Sequence, residues 1–371
     1  MVVALAVVTG FKEAVKEKLY HFNGHVHVSY YSPIVSNSYA APPIYNDAVL
    51  HTALQRVPHV LRVSPFVQRP VILQAGGKME GISLKGVDKN YTLPASISFS
   101  GKPITYPDSG YSRNVILSEK TAELLDIQTG DTIQLQYIDE SARPRIRRVN
   151  VSGLYASGMA DVDKYFALCD IRLLQRLNNW TGDSINAFQI DLDYSDYADS
   201  VSNYIHYNLI NAPLESFTTN ENYPNIIDWL HFQDLNSMIL LVIMGIVAII
   251  NMAAVLLMLM VDRAAMIGLL KALGMGFRQT VQVFIYIGVL IGGAGILLGN
   301  LLAIALCLLQ QHFRIIKLPE ESYYMKYAPV KLIWWHVVAT DAVALLLFVV
   351  CMWLPALYIR TIQPAKVLQF R

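Results

Sequence analysis

Residues 235–261 read LNSMILLVIMGIVAIINMAAVLLMLMV, an uncharged run held between Asp234 and Asp262. An α-helix rises 1.5 Å per residue, so about 20 apolar residues cross the hydrocarbon core of a bilayer. The run exceeds that length and predicts a membrane-spanning helix over about 235–261. Downstream, residues 279–313 are again uncharged except at His312, and a second span is predicted over about 279–309. A third span, over about 332–359, is interrupted only by Asp341 and, near its start, by His336. One such run also fits the core helix of a soluble protein, but three in close succession predict a membrane domain.

The rest of the chain has a different character. The 371 residues are 54% hydrophobic and only 15% charged, with a mean hydropathy of +0.37. Soluble domains carry about a quarter charged residues, so an ordinary soluble enzyme is excluded. Residues 235–371 hold four acids, Asp262, Glu320, Glu321 and Asp341, against ten Lys or Arg, whereas residues 1–234 hold 24 acids and 19 bases. The net charge of +1 thus conceals a polar acidic part and an apolar basic part, as expected when one lies in water and the other in lipid. Nothing in this balance points to nucleic acid as a partner.

The amino terminus, MVVALAVVTGF, is apolar for eleven residues and then gives way to the charged helical pattern KEAVKEK. Eleven residues are too few to span, and the stretch lacks the basic start and small-residue cleavage site of a signal peptide. A polar domain of this size needs an export signal, so residues 1–11 are expected to be the outer half of a first helix. The intact protein would then have four spans, with three complete here. Both termini and residues 262–278 would share one side of the membrane. That side carries Arg263, Lys271, Arg278, Arg360, Lys366 and Arg371 against Asp262, which favours the cytoplasm.

Residues 12–230 alternate β-rich runs (HVHVSYY, PVILQA, NVILS, DTIQLQYI, RRVNVSGLY, INAFQIDL) with helical ones (AVLHTALQRV, SEKTAELLDI). The fold class expected is an α-helical membrane protein with a large α+β extracytoplasmic domain. Its parts are a helix remnant at 1–11, the exported domain at 12–230 and a membrane domain at 231–371. Cys169 is the one cysteine of the polar part, beside Cys307 and Cys351 in apolar runs, so no disulfide forms within it. No structural zinc spacing occurs; His21, His25 and His27 are read as strand and turn packing, and no metal is expected. Arg143, Arg145 and Arg147 alternate along a strand beside Arg148, which puts three guanidinium groups on one face. They are either a charged hairpin edge that resists edge-to-edge pairing or a docking edge for an acidic partner.

Catalytic motifs are missing. There is no GxxxxGK[ST], GxSxG or HExxH, and GGK at residues 76–78 lacks the spacing of a phosphate loop, so no catalytic residue is assigned. Two spacings inside the membrane domain do carry meaning. Arg263 and Lys271 flank apolar Ile267, Leu270 and Leu273 at helical intervals, predicting a short helix over residues 263–274 with one face for a groove and bases for acids or lipid head groups. Gly288, Gly292, Gly295 and Gly299 recur at offsets of four, three and four, which predicts a smooth seam where another helix packs closely.

Several of these stretches resemble one family. Residues 256–276, LLMLMVDRAAMIGLLKALGMG, look like the cytoplasmic coupling segment of the type VII ABC permeases, the group that contains MacB, FtsX and the lipoprotein-releasing LolC/LolE proteins. The tail WLPALYIRTIQPAKVLQF resembles their closing pattern, and YYMKYAPVKLIWW resembles the outer loop of the LolC/LolE branch. GFKEAVKEKLYHFNGHVHV, LKGVDKN and GLYASGMADVDKYFAL extend the likeness through the exported domain.

The resemblance implies a permease subunit of the bacterial inner membrane that pairs with a second permease and with a separate ABC ATPase, which binds the ATP and Mg; this chain would bind no cofactor. Arg263, Met266, Ile267, Leu270, Lys271, Leu273 and Gly274 would couple to the ATPase. Met238, Leu241, Val242 and Gly245 would line a cleft for the lipoprotein substrate, which passes to a periplasmic carrier. A MacB-like exporter of small molecules or peptides and an FtsX-like signalling module controlling cell-wall hydrolases are the alternatives.

Overall fold

The computed structural model describes residues 1–31, 42–94, 97–138, 144–180, 182–263, 266, 269, 273–319, 325 and 327–351. In chain order the elements are α1 (Val2–Asn23), β1 (Val26–Tyr30), β2 (Ile44–Tyr45), α2 (Ala48–Gln55), β3 (Val60–Ala75), β4 (Lys78–Val87), β5 (Ser98–Gly101), β6 (Asn114–Ser118), α3 (Glu119–Leu125), β7 (Thr132–Ile138), β8 (Pro144–Ala156), α4 (Ala160–Tyr165), β9 (Phe166–Asp170), α5 (Ile171–Leu177), β10 (Ser184–Ile185), β11 (Ala187–Leu192), α6 (Ala198–Asn208), β12 (Leu214–Thr218), α7 (Thr219–Asn222), α8 (Pro224–Asp262), α9 (Phe277–Phe313) and α10 (Trp334–Cys351). They fall into two units: Met1–Glu13 with Trp229–Lys317 and the chain from Tyr327, and Ala14–Asp228 with Leu318–Lys326.

The first unit is helical. Among the described residues two helices are long and apolar enough to cross a membrane, within Pro224–Leu259 and Tyr286–Phe313, and Trp334–Phe348 is a shorter apolar helix. The third span expected over 332–359 is therefore described only to Cys351. The start of α1 packs here: Phe11 meets Trp229 edge to face at 5.6 Å, and Lys12 pairs with Asp234 at 2.5 Å. The Lys331 amide donates to the Ala6 carbonyl at 3.0 Å. A Cβ on Gly10 would lie 2.7 Å from that same amide nitrogen, so a side chain there would push the two segments apart. At the far end of α9, Gln310 ties down the following loop, accepting from the Ile316 amide at 3.0 Å and donating to the Ala328 carbonyl at 3.1 Å.

The second unit is built on a ten-stranded mixed sheet of order β12-β1-β11-β3-β4-β9-β6-β8-β5, with β7 paired to β3 and β8. The β4–β9 and β6–β8 pairs are parallel, so the domain is mixed α/β with more parallel pairing than an α+β reading implies. Both faces are buried. Val115, Leu117, Ala167 and Cys169 enter a large core on one face, and the alternating Ile116 and Leu168 enter a second core with Leu19 and Phe22 of α1 on the other. That is why NVILS is apolar throughout instead of alternating. Val15, Leu19 and Phe22 are all fully buried, one helical stripe along the half of α1 whose other positions are charged.

Two local signals take a fuller form in the structure. PVILQA is only the end of β3, which begins at Val60 and runs through Pro65 and Pro70. Pro65 pairs only with β11 and Pro70 only with β4, so each proline sits where its missing N–H deprives no ladder. In GGK, Gly76 and Gly77 have φ of 55° and 87° and close the β3–β4 hairpin, a two-residue turn needing positive φ at both positions.

Candidate functional site

The segment joining α8 to α9 begins at Arg263, and Met266 and Leu269 are helical. It closes on a turn at Leu273–Gly274, where Gly274 has φ of 89°. Ile267, Leu270 and Lys271 lie outside the described residues. Arg263 is exposed, Met266 is half-buried, and Leu273 is 78% exposed. Leu269, which the spacing argument passed over, is also exposed. Gly276 then starts α9, its amide donating to the Gln279 side chain at 3.2 Å.

Within the helical unit the glycine positions part company. Gly288 is buried, and a Cβ on Gly292 would come within 2.9 Å of the Phe348 ring on α10. Around Gly295 and Gly299 a Cβ would meet nothing within 4 Å among the described residues. The predicted seam thus contacts another helix of this chain at Gly292 and leaves an open strip beyond it. Asp341 on α10 accepts from the Asn300 side chain on α9 at 2.7 Å, so the carboxylate meets a polar partner. On α8, Met238 and Val242 are exposed, Leu241 and Gly245 half-buried, and Gly245 faces open space.

In the sheet unit, the last turn of α1 is held by several side-chain hydrogen bonds, and sequence reasoning did not single it out. Tyr20 donates to the Asn220 side chain at 2.7 Å, Tyr223 to the Asn23 side chain at 3.0 Å and Thr219 to the Gly24 carbonyl at 2.7 Å. The end of α1 is thereby tied to α7 and to Tyr223, the residue that follows it. From the sheet, Lys85 Nζ donates to the Phe22 carbonyl at 2.8 Å and to Gln189 Oε1 at 2.7 Å. Burial pushes the Lys85 ammonium down to about 7, against the pull of Asp191. No local signal in LKGVD marks this lysine as buried, because its cover comes from α1.

The histidines serve packing. His25 stacks on Tyr20 at 4.6 Å and its Nδ1 accepts the Leu192 amide. His27 lies between Phe66 and Phe217. Burial lowers their pKa to about 4 and about 3, with Lys85 adding to the shift at His27. His21 approaches Glu17 on its own helix instead.

GLYASGMADVDKYFAL also acquires a physical reading. Gly153 lets β5 approach, since a Cβ there would strike the Phe99 ring at 2.6 Å. Tyr155 is fully buried, stacks on Phe22 of α1 at 5.9 Å and donates to the Phe166 carbonyl at 2.9 Å. The Asp163 carboxylate receives the amides of Ser157 and Gly158 at 2.9 and 3.2 Å. The motif runs from the end of β8 through α4 into β9 and backs the end of α1.

Arg143 lies outside the described residues. Arg145 and Arg147 stand on β8 opposite Tyr137 and Leu135 of β7, and between Pro144 and Val149 β8 has no other described partner strand. Arg113, Arg147 and Arg148 line a cleft of about 220 Å³ with Tyr111, Ile146 and Leu173, so its lining mixes three cations with apolar side chains. Among the described residues no group of His, Cys, Asp and Glu is arranged to hold a metal.

Residues 238–364 match the family described as FtsX-like permease C-terminal, and residues 1–205, more than half of the chain, match the MacB-like periplasmic core domain. The chain belongs to the FtsX/MacB family of ABC transporter permeases. The permease is thus the transmembrane subunit and not an ATPase, and ATP hydrolysis belongs to a partner subunit. Over 386 residues it is 25% identical to the lipoprotein-releasing system transmembrane protein LolC of Xylella fastidiosa, covering 100% of this chain and 90% of the relative. Over 399 residues it is 23% identical to the LolE protein of Haemophilus influenzae, covering 99% and 90%. Among solved structures, the periplasmic region of MacB from Actinobacillus actinomycetemcomitans is similar at 13% identity, with a TM-score of 0.37 over 54% of this chain and 92% of that one.

Proposed function

We propose that the permease releases lipoproteins from the bacterial inner membrane to a periplasmic carrier, driven by an ATPase subunit that binds ATP and Mg. The observation that carries this reading is the similarity to lipoprotein-releasing permeases along the whole chain, exported domain included. Two permeases per complex enclose a cleft, and Met238, Leu241, Val242 and Gly245 supply part of its lining. The exposure of Met238 and Val242 on α8 supports this assignment, because an acyl chain needs apolar surface that the chain's own helices leave uncovered.

Residues 263–274 engage the ATPase from the cytoplasm. Exposed Leu273 and Leu269 supply apolar contact and Arg263 a cation. Arg145 and Arg147 supply the cations at which an acidic face of the carrier docks, and Arg143 extends the basic sequence beside them; the cleft lined by Arg113, Arg147 and Arg148 supports that role. Purification from its native membrane in mild detergent tests the reading. An ABC ATPase with bound acylated protein is expected, whereas a cell-wall hydrolase without cargo would favour signalling and a soluble small-molecule cargo would favour export.

A further inference from the structure

Lys85 is 2% exposed. Along β4, Leu84 belongs to one core and Val87 to the other, so alternation turns Lys85 towards the face that α1 covers. Gln189 and His27 occupy the same face, between the inward residues Phe188, Ile190, Val26 and Val28 of the opposite core. In register, His27 lies opposite Gln189 and Gln189 opposite Ser64, so a buried polar row crosses β1, β11 and β3 and reaches Lys85 on β4.

Among the described residues no carboxylate lies within ion-pairing distance of Lys85. Asp191, the nearest acid in the row, is held by Arg62 at 2.7 Å and receives the Gln189 amide at 3.1 Å. The ammonium is satisfied instead by the Phe22 carbonyl and Gln189, with the rings of Phe22 and Phe66 at 5.2 and 5.1 Å. The last carbonyls of a helix lack intrahelical partners and carry its negative end, and here the sheet supplies the cation. Gly24 completes the node: with φ of +77° it turns the chain off the helix, and a Cβ there would fall 2.4 Å from Gln189.

A buried charge without a counter-ion costs stability, and apolar residues of similar size often do better in such places. What it supplies is direction. The contacts of Val15, Leu19 and Phe22 would tolerate a helix that slides or turns on its seat, because burial of apolar area is non-directional. A hydrogen bond to one carbonyl would not. We propose that Lys85 is a positioning residue for transmission: it fixes the last turn of α1 to β4 and β11, so that displacement of α1 moves the sheet as one body. This rests on the ATP-driven permease reading above.

The test uses the full chain co-purified with its ATPase in lipid nanodiscs, spin-labelled at Glu17→Cys on α1 and Lys78→Cys on β4. The expected result is one narrow Glu17–Lys78 distance distribution, the same without nucleotide and with ATP trapped by vanadate. In Lys85→Met the distribution should broaden or shift on trapping. Cargo released per ATP should fall about fivefold while ATP hydrolysis and the unfolding temperature are kept. A distance that changes between the two states in the parent protein overturns the proposal, as does a well-folded Lys85→Met with unchanged distances and release. Should Lys85→Met fail to accumulate, the parent distances decide alone. A complex that moves no lipoprotein would sink the release reading while leaving the distance comparison intact.

Discussion

Asn300 on α9 donates to the Asp341 carboxylate on α10 across 2.7 Å. Both residues stand in predominantly apolar helices, and an acid placed there is costly unless it has a partner. Interhelical hydrogen bonds in membrane proteins contribute roughly 0.5–2 kcal/mol. A double-mutant cycle with Asn300→Leu and Asp341→Leu, read from stability in detergent, should return a coupling within that range. Strictly additive losses would mean that the bond adds nothing to helix association.

Gly292 faces Phe348 at a distance a methyl group already violates. Gly292→Leu should therefore cost about 1–3 kcal/mol by overpacking, seen as a lower yield of monodisperse permease. Gly292→Leu with Phe348→Ala should recover part of that loss. Gly295→Leu and Gly299→Leu should leave the isolated chain unaltered; if they instead reduce recovery of the paired complex, the open strip is where the second permease packs.

Asp163 holds two buried amides, those of Ser157 and Gly158. Removing the acceptor strands both donors at about 1–3 kcal/mol each. Asp163→Ala should lower the denaturation midpoint of the exported domain in the full chain by an amount of that order, with Asp163→Asn milder. An unchanged midpoint would mean that the loop finds other acceptors.

The exported domain should weaken in acid. His25 and His27 are held neutral by burial, at about 4 and about 3 against an ordinary 6.5. Between those values the unfolded chain binds more protons, so stability is fully present above pH 6.5 and is lost as pH falls towards 4. At pH 5 each ring would account for roughly 2 kcal/mol. Lys85 acts in a separate window: its lowered folded value makes stability rise from about pH 7 upwards. Urea titrations of the full chain from pH 7 to 5 check the first effect, and His27→Phe should flatten the curve. A parent protein equally stable at pH 5 and 7 would contradict it.

The membrane helices were legible because lipid demands long uncharged runs, and residues 235–261 supply one directly. The β6 strand and the helix after it were legible for local reasons, since NVILS is β-rich and SEKTAELLDI is helical in pattern, and the Ser118 side chain caps α3 by accepting the Thr121 amide. Long-range relations were not. Nothing local distinguishes Lys85 from a surface lysine, since its burial depends on α1 crossing a strand 63 residues away in the chain. Pro65 and Pro70 concealed most of β3, because sequence cannot show which edge of a strand lacks a neighbour. The four glycines shared a helical face by arithmetic, yet only the position of Phe348 reveals that Gly292 is a contact.

The most direct measurement is release itself. The permease and its co-purified ATPase, reconstituted in proteoliposomes, should transfer an acylated lipoprotein to a soluble carrier when ATP is added. The same protein without its acyl chains should not be handled, and Leu270→Asp should leave ATP hydrolysis but abolish transfer. ATP hydrolysis with no movement of acylated cargo, in a complex shown to contain both subunits, would contradict the account.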